Sequence, residues 1–175
     1  QPVTYEGKIY LSTTSGRLLC LDADTGDALW ATTIPQTLEE SPGINERPGK
    51  LYLPGDHSNL YVVDKRTGKC SESYYVGHAK GTIAVPPVAL QGNDGGHVFV
   101  IENAGADFAL LHILKCDKEG GALAVAQPPE RLVGNVMVPP IMVLGRRLII
   151  LTDRGQIKAF DVESSATTTS EQVKA

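Results

Sequence analysis

Four groups of residues in this chain could in principle do chemistry. Asp56, His57 and Ser58 are the residue types of a hydrolase triad. Neighbours in one tight turn point apart, however, and nucleophilic catalysis needs nucleophile, base and orienting group in hydrogen-bonded series. The stretch "PGDHSN" is therefore expected to be a hairpin turn. "DADTGD", residues 22–27, begins like a calcium loop, but the glycine and the later ligands of an EF-hand are missing. It too is expected to be a turn. His57, His78, His97 and His112 include no pair at metal-ligand spacing, and His112, inside "LLHIL", is expected to be a hydrogen-bonded core residue. Cys20, Cys70 and Cys116 are odd in number and irregularly spaced, unlike a disulfide framework or a C-x-x-C pair. All three are expected to be small buried residues. No catalytic residue, metal ligand or cofactor follows from these patterns.

Composition narrows the class further. The chain has 175 residues, is 42% apolar but only 6% aromatic, and holds 18 Gly and 11 Pro, a balance that favours short strands joined by tight turns. Sixteen basic and twenty acidic residues are dispersed along it for a net charge of −4. No basic stripe exists to neutralise a phosphate backbone, so nucleic acid is not expected as a partner. Apolar runs such as "VFVI" and "RRLIILT" are far shorter than the roughly 20 residues of a membrane span. A soluble segment is expected, with any export signal lying upstream of Gln1 or absent.

The elements that must position these residues announce themselves as a repeat. "GKIYLSTTSGRLLCLDADTG" (7–26) aligns without a gap on "GKLYLPGDHSNLYVVDKRTG" (49–68), every matched position differing by 42. Looser copies run through residues 95–121 and 145–163, and the proline-bounded runs "VPPVAL" (85–90) and "VPPIMVL" (138–144) recur between copies. Each copy reads as four short strands. Runs such as "LLCL" and "LIIL" are apolar at consecutive positions, so both faces of each sheet must be covered. The expected units are 1–35, 36–77, 78–127 and 128–163, followed by a polar tail or linker at 164–175. Gln1 to Glu6 leave little room for an inner strand, and no outer strand is evident after Val162.

Within a copy, the Asp-x-x-Thr-Gly stretch is expected to be structural. Asp22 can turn its carboxylate onto the amides of the following turn, Thr25 can do so more weakly, and Gly26 supplies the positive φ of the reversal. Trp30 then lies on the outer strand, where its ring can cover the edge of a neighbouring sheet. Asp64, Thr67 and Gly68 repeat the turn.

These units resemble the pyrroloquinoline-quinone-type repeats, β-propeller blades with the pattern G-x-[LIV]-Y followed by an apolar strand ending A-x-D-x-x-T-G-x-x-x-W. The first unit matches at Gly7, Ile9, Tyr10, Asp22, Thr25, Gly26 and Trp30, with Cys20 at the usual Ala position. The second matches at Gly49, Leu51, Tyr52, Asp64, Thr67 and Gly68, with Glu72 in place of Trp. The third keeps Asp117 and Gly120 or Gly121, and the fourth Gly155 and Asp161. The resemblance implies an all-β propeller segment of about four four-stranded antiparallel blades. Rings of this type have seven or eight blades. Four could be part of a longer ring, half of a ring completed by a second copy, or a small closed ring.

By the same resemblance, catalytic members hold a quinone and a calcium ion on Glu, Asn and Asp side chains, with a Trp floor and often two adjacent cysteines. None of that set can be assigned here, so the expected function is a non-catalytic scaffold that binds a protein or ligand. An extracytoplasmic bacterial setting is inherited from the resemblance. The alternatives are a fragment of a quinone-dependent alcohol or sugar dehydrogenase, and the sensor or substrate-binding region of a multidomain protein. In a four-stranded blade the second-to-third strand turns and the links between blades emerge on one side. That side is expected to carry Glu39, Glu40, Asp56, His57, Asn59, His78, Lys80, Asn103, Asp107, Asp153 and Arg154, the candidate binding face.

Overall fold

The computed structural model describes residues 2–47, 49–77, 82–91, 95–164 and 171–174. Among them are sixteen β-strands and no α-helix. The first sheet takes β1 (Val3–Tyr5), β2 (Lys8–Ser12), β3 (Arg17–Asp22) and β4 (Ala28–Thr33) in chain order. The second takes β5 (Gly43–Asn45), β6 (Lys50–Pro54), β7 (Asn59–Asp64) and β8 (Cys70–Tyr75). β9 (Val88–Leu90), β10 (His97–Asn103), β11 (Phe108–Cys116) and β12 (Leu123–Val133) form the third. The fourth holds β13 (Ile141–Val143), β14 (Arg147–Leu151), β15 (Ile157–Ser164) and β16 (Glu171–Lys174). All pairings between these strands are antiparallel and join sequence neighbours.

The 42-residue offset survives in space. Tyr10 lies opposite Cys20, which lies opposite Trp30; Tyr52, Val62 and Glu72 repeat the row. The same register shift follows in both sheets, after Cys20 and after Val62. Such a bulge bends the outer strand and re-aims its side chains.

Consecutive apolar residues serve two different cores. Val98 and Val100 of β10 pack with Tyr52, Leu60 and Val62 of the second sheet, whereas the intervening Phe99 and Ile101 pack with Leu148, Ile150 and Phe160 of the fourth. A third cluster joins Tyr10, Leu18 and Cys20 to Leu51, Leu53 and Val63. Alternate strand positions point to opposite faces, so a strand between two sheets must be apolar throughout. Each fully buried Leu or Val removed from water stabilises the stack by roughly 1.5–3 kcal/mol.

The Asp-x-x-Thr-Gly turn works through its carboxylate. Asp22 Oδ1 accepts the amides of Asp24 (3.0 Å) and Thr25 (2.9 Å), and Asp64 Oδ1 accepts those of Arg66 (3.2 Å) and Thr67 (2.9 Å). Gly26 and Gly68 sit at φ +77° and +72°. In the third unit Asp117 receives the Gly121 amide, while Gly120 takes the left-handed conformation at φ 67°. Amide donation from Thr25 and Asp24 holds the Asp22 carboxyl below the usual carboxylate range. A depressed carboxyl contributes stability above its unfolded-state value of about 3.9, lost as pH falls through its folded-state value. Urea unfolding at neutral pH and near pH 3 should therefore show a larger acid loss for the wild type than for Asp22→Asn. Equal losses would mean that the turn carboxylate contributes nothing.

Between the first two sheets, the Trp30 indole N–H donates to Lys65 O at 3.1 Å, and Thr32 Oγ1 donates to Gly68 O. A Cβ on Gly68 would lie 2.5 Å from the indole Cε3. The outer strand of one sheet thus clasps the turn of the next. Where Glu72 replaces Trp, the hydroxyl of Tyr52 reaches across instead and donates to Gly120 O at 3.0 Å.

Four expectations need correction. Val3–Tyr5 do form an inner strand, because a three-residue pairing to β2 needs little chain. Glu171–Lys174, expected as tail, pair with β15 as the outer strand of the fourth sheet. An edge strand needs β-pairing on one side only, so a polar sequence suffices. β12 runs across the expected boundary at residue 127: Pro128 and Pro129 lie at a register shift on an edge strand, where a missing amide donor costs no ladder bond. Cys70 is exposed at the start of an outer strand, unlike buried Cys20 and Cys116.

Candidate protein-binding face

The links between sheets are anchored to the second-to-third strand turns by one recurring bond. The first link amide donates to the turn carbonyl in Ile34 to Gly16 (2.8 Å), Val76 to Ser58 (2.9 Å) and Gly134 to Asp107 (2.7 Å). Turns and links therefore share one side. Ile34 and Leu38, 3% and 1% exposed, sink the link after β4 into the core. Ser12 Oγ donates to Glu40 O at 2.6 Å. On this anchored backbone Glu39 is exposed and Glu40 half-buried.

Glu39, Glu40 and Asp56 line one dent of about 70 Å³ together with Thr37, Pro54, Gly55, Thr82 and Ile83. Asp56 Oδ2 accepts the Thr37 amide at 3.4 Å, joining link to turn. Burial pushes the Glu40 carboxyl above its ordinary range, and Glu39 beside it adds to the shift. Sites for small molecules run to about 300–1,000 Å³. This dent is too small to enclose a ligand, and what it offers is a shallow surface that combines three acidic residues with the apolar Pro54 and Ile83.

Other expected face residues have structural employment. Asn103 Oδ1 accepts the Val136 amide (2.8 Å) and its Nδ2 donates to Val136 O (3.0 Å). Asp153 Oδ1 accepts the Asn135 amide at 2.8 Å, while the Asp153 amide donates to Asn135 O at 2.9 Å. Asn59 Nδ2 donates to Asp56 O at 2.9 Å. Arg154 is exposed and packs beside Gly134, where a Cβ would meet its Cγ at 2.6 Å. Asp153 and Arg154 belong to the fourth sheet's turn and do not line the dent. Asp107 lies on the β10–β11 turn. His57 sits, as expected, in the turn of a hairpin, a short 3-10 turn, Asp56–Ser58, that joins β6 to β7; His78 and Lys80 lie outside the described residues.

Sequence reasoning missed one buried network. Glu102, 2% exposed, accepts from Ser58 Oγ on Oε1 (3.0 Å) and pairs with His112 Nε2 through Oε2 (2.9 Å). Ser58 holds φ +59° to reach it. The carboxylate stands between Ser and His, so no Ser–His pair exists to activate a nucleophile. The network bolts the second sheet's turn to the third sheet. Its sequence signals were a lone carboxylate closing "VFVIEN" and the histidine inside "LLHIL".

On the inner strands a second, open cavity of about 380 Å³ is lined by Ile44, Asn45, Glu46, Ala89, Leu90, Gln91, Met142 and Gly145. Glu46 is the one carboxylate there, Asn45 Nδ2 is directed at Tyr52 Oη (3.4 Å), and no aromatic residue or cysteine takes part. The chain's single Trp is engaged at Lys65 and Gly68. These residues do not fit a calcium-held quinone. Among the described residues no three His, Cys, Asp or Glu side chains stand close enough to hold a metal ion.

Comparison with known proteins agrees with this architecture. BamB from Moraxella catarrhalis superposes with a TM-score of 0.64 over 92% of this chain and 45% of its own, at 17% identity. The WD40 domain of Toxoplasma gondii coronin gives 0.67 over 92% and 42%, at 13% identity. Quinohemoprotein alcohol dehydrogenase from Comamonas testosteroni gives 0.54 over 77% and 20%, at 19% identity. At these identities the likeness shows the propeller fold alone, and the chain spans less than half the length of each. No curated protein matches the sequence. The family model described as outer membrane protein assembly factor BamB matches residues 1–173. The chain belongs to that family of PQQ-like β-propeller proteins.

Proposed function

We propose that this propeller segment is a non-catalytic scaffold that binds a partner protein through its link-and-turn side, in an extracytoplasmic compartment. The observation that carries the reading is the acidic dent. Three carboxylates on anchored backbone surround a depression too small for a metabolite, which suits a projecting basic or amide-bearing side chain of another protein. Rigid scaffolds commonly present binding residues on such loops. The name of the family model, an outer-membrane assembly factor, supports both the binding role and the compartment. The inner-strand cavity, without the residues that hold a quinone, speaks against the dehydrogenase reading.

The test is a triple substitution, Glu39→Ala, Glu40→Ala and Asp56→Ala, in the full-length native polypeptide, with partner capture measured from envelope extracts. Glu39 is exposed and the other two half-buried, so the thermal transition should move little. Capture should fall at least tenfold. Unchanged capture would place binding elsewhere.

A further inference from the structure

No single sheet carries the dent. One wall is Thr37, Glu39 and Glu40 on the link after β4, a second is the turn after β6 with Gly55 and Asp56, and a third is Thr82 and Ile83 on the link that leads to the third sheet. Two of these walls are tied to the end of β10. Asn103 N donates to Thr82 O at 3.0 Å and Thr82 N to Asn103 O at 3.4 Å. One residue earlier, Glu102 Oε1 accepts from Ser58 Oγ at 3.0 Å, and Ser58 closes the short turn that presents Asp56. Ile83 is buried in the same core as Leu60 of the second sheet and Val98 and Val100 of the third. The dent therefore straddles the joint between those two sheets, with Glu102 inside the joint.

The backbone of that turn is under strain. The ungapped repeat aligns Ser58 with Gly16. Gly16 takes φ +80° and Ser58 φ +59°, a region that glycine enters freely and a residue with a Cβ enters at a cost. Such a conformation persists only where the surroundings over-determine it. Here the Glu102 carboxylate does so: it binds the Ser58 hydroxyl on one oxygen and His112 Nε2 on the other. The link after β8 closes over it, since a Cβ on Gly77 would stand 3.0 Å from Glu102 Oε2. The turn in turn holds the links on both sides. Asp56 Oδ2 accepts the Thr37 amide and Ser58 O the Val76 amide.

We propose that Glu102 is a positioning residue for the binding face. Through Ser58 it fixes the Asp56 turn opposite the Thr82 wall, so that a partner seated in the dent and the joint between the second and third sheets stabilise each other. The inference rests on the binding reading given above and adds to it a regulation of the same site. Coupling of this kind is reciprocal: a closed joint assembles the dent, and an occupied dent holds the joint closed. Glu102 itself is 2% exposed and acts only through Ser58.

Amide hydrogen exchange and photo-crosslinking on the full-length native polypeptide test it together. Ser58→Gly removes the hydroxyl and leaves a residue that favours the same backbone conformation, so the far-ultraviolet spectrum should stay that of the wild type. Exchange at the Val76 and Thr37 amides should nevertheless speed up by about tenfold or more. The Ile34 amide, anchored in the same way on Gly16 O, should be unchanged. Glu102→Gln still offers an oxygen to Ser58 and an N–H to His112, and should exchange within about twofold of the wild type. In cells, a crosslinker at Glu39 should give the partner adduct in the wild type and in Glu102→Gln, and about fivefold less or lower in Ser58→Gly. Equal acceleration at Ile34 would assign the network to overall stability and overturn the positioning role, as would an adduct undiminished by Ser58→Gly. Absence of any adduct from the wild type would instead remove the binding reading, and the coupling with it, whatever the exchange rates.

Discussion

Trp30→Ala is expected to lower the stability of the chain by about 2–3 kcal/mol, somewhat below the range for a fully buried Trp in a core because the ring is only partly buried. Three losses coincide at this position. The indole packs on the Gly68 turn of the next sheet, it stands 6.1 Å from the Tyr10 ring, and its N–H satisfies Lys65 O. Truncation leaves a gap that the Gly68 turn cannot fill, since that turn is held from within by Asp64 and Thr67. Trp30→Phe separates packing from hydrogen bonding and should cost about 1 kcal/mol for the lost bond. In a stacked-repeat protein the damage falls on one joint, so urea unfolding should also broaden as the first sheet uncouples from the rest. A Trp30→Ala change of less than about 0.5 kcal/mol, the size of an ordinary surface substitution, would refute the clasp.

The second large effect is expected at Glu102. Glu102→Ala should destabilise by about 2–5 kcal/mol, at roughly 1–3 kcal/mol for each of its two buried hydrogen bonds lost. It strips the acceptor from Ser58 Oγ and the partner from His112 Nε2, at sites 1% and 8% exposed. Ser58 would also lose the bond that holds its left-handed backbone. Replacing the whole network at once, with Ser58→Ala, Glu102→Leu and His112→Leu, should cost less than Glu102→Ala alone, because no unpaired polar group remains. A double-mutant cycle on Glu102 and His112 measures the coupling directly. Coupling near zero would mean that the pair is incidental to the joint between the second and third sheets.

How much of this was legible in the sequence follows from the physics of each feature. The repeat was visible because turns have strict requirements. A positive φ selects Gly26 and Gly68, and a carboxylate that caps its own turn selects Asp22 and Asp64. Buried sheets were visible in consecutive apolar residues, since each strand serves two cores. Strands at the sheet edges were harder. β1 and β16 pair on one side only, β1 being three residues long and β16 mostly polar, and β12 contains two prolines that read as a break. Of the Glu102 network only His112 was legible, as a hydrogen-bonded core residue; the members come from β10, β11 and the turn before β7, and only the stacking of sheets brings them together. The acidic dent was half legible: Glu39, Glu40 and Asp56 were expected on one side, while Asp153 and Asn103 turned out to be committed to the backbone of the links.

The central claim is that binding resides on the link-and-turn side. Photo-crosslinking residues placed singly at Glu39, Asp56 and Arg154, and as controls at Asp24 and Arg66 on the opposite turns, test it most directly in living cells. The account predicts one discrete partner adduct from Glu39 and Asp56, with none from Asp24 or Arg66. Adducts confined to Asp24 and Arg66, or equal from both sides, would contradict it.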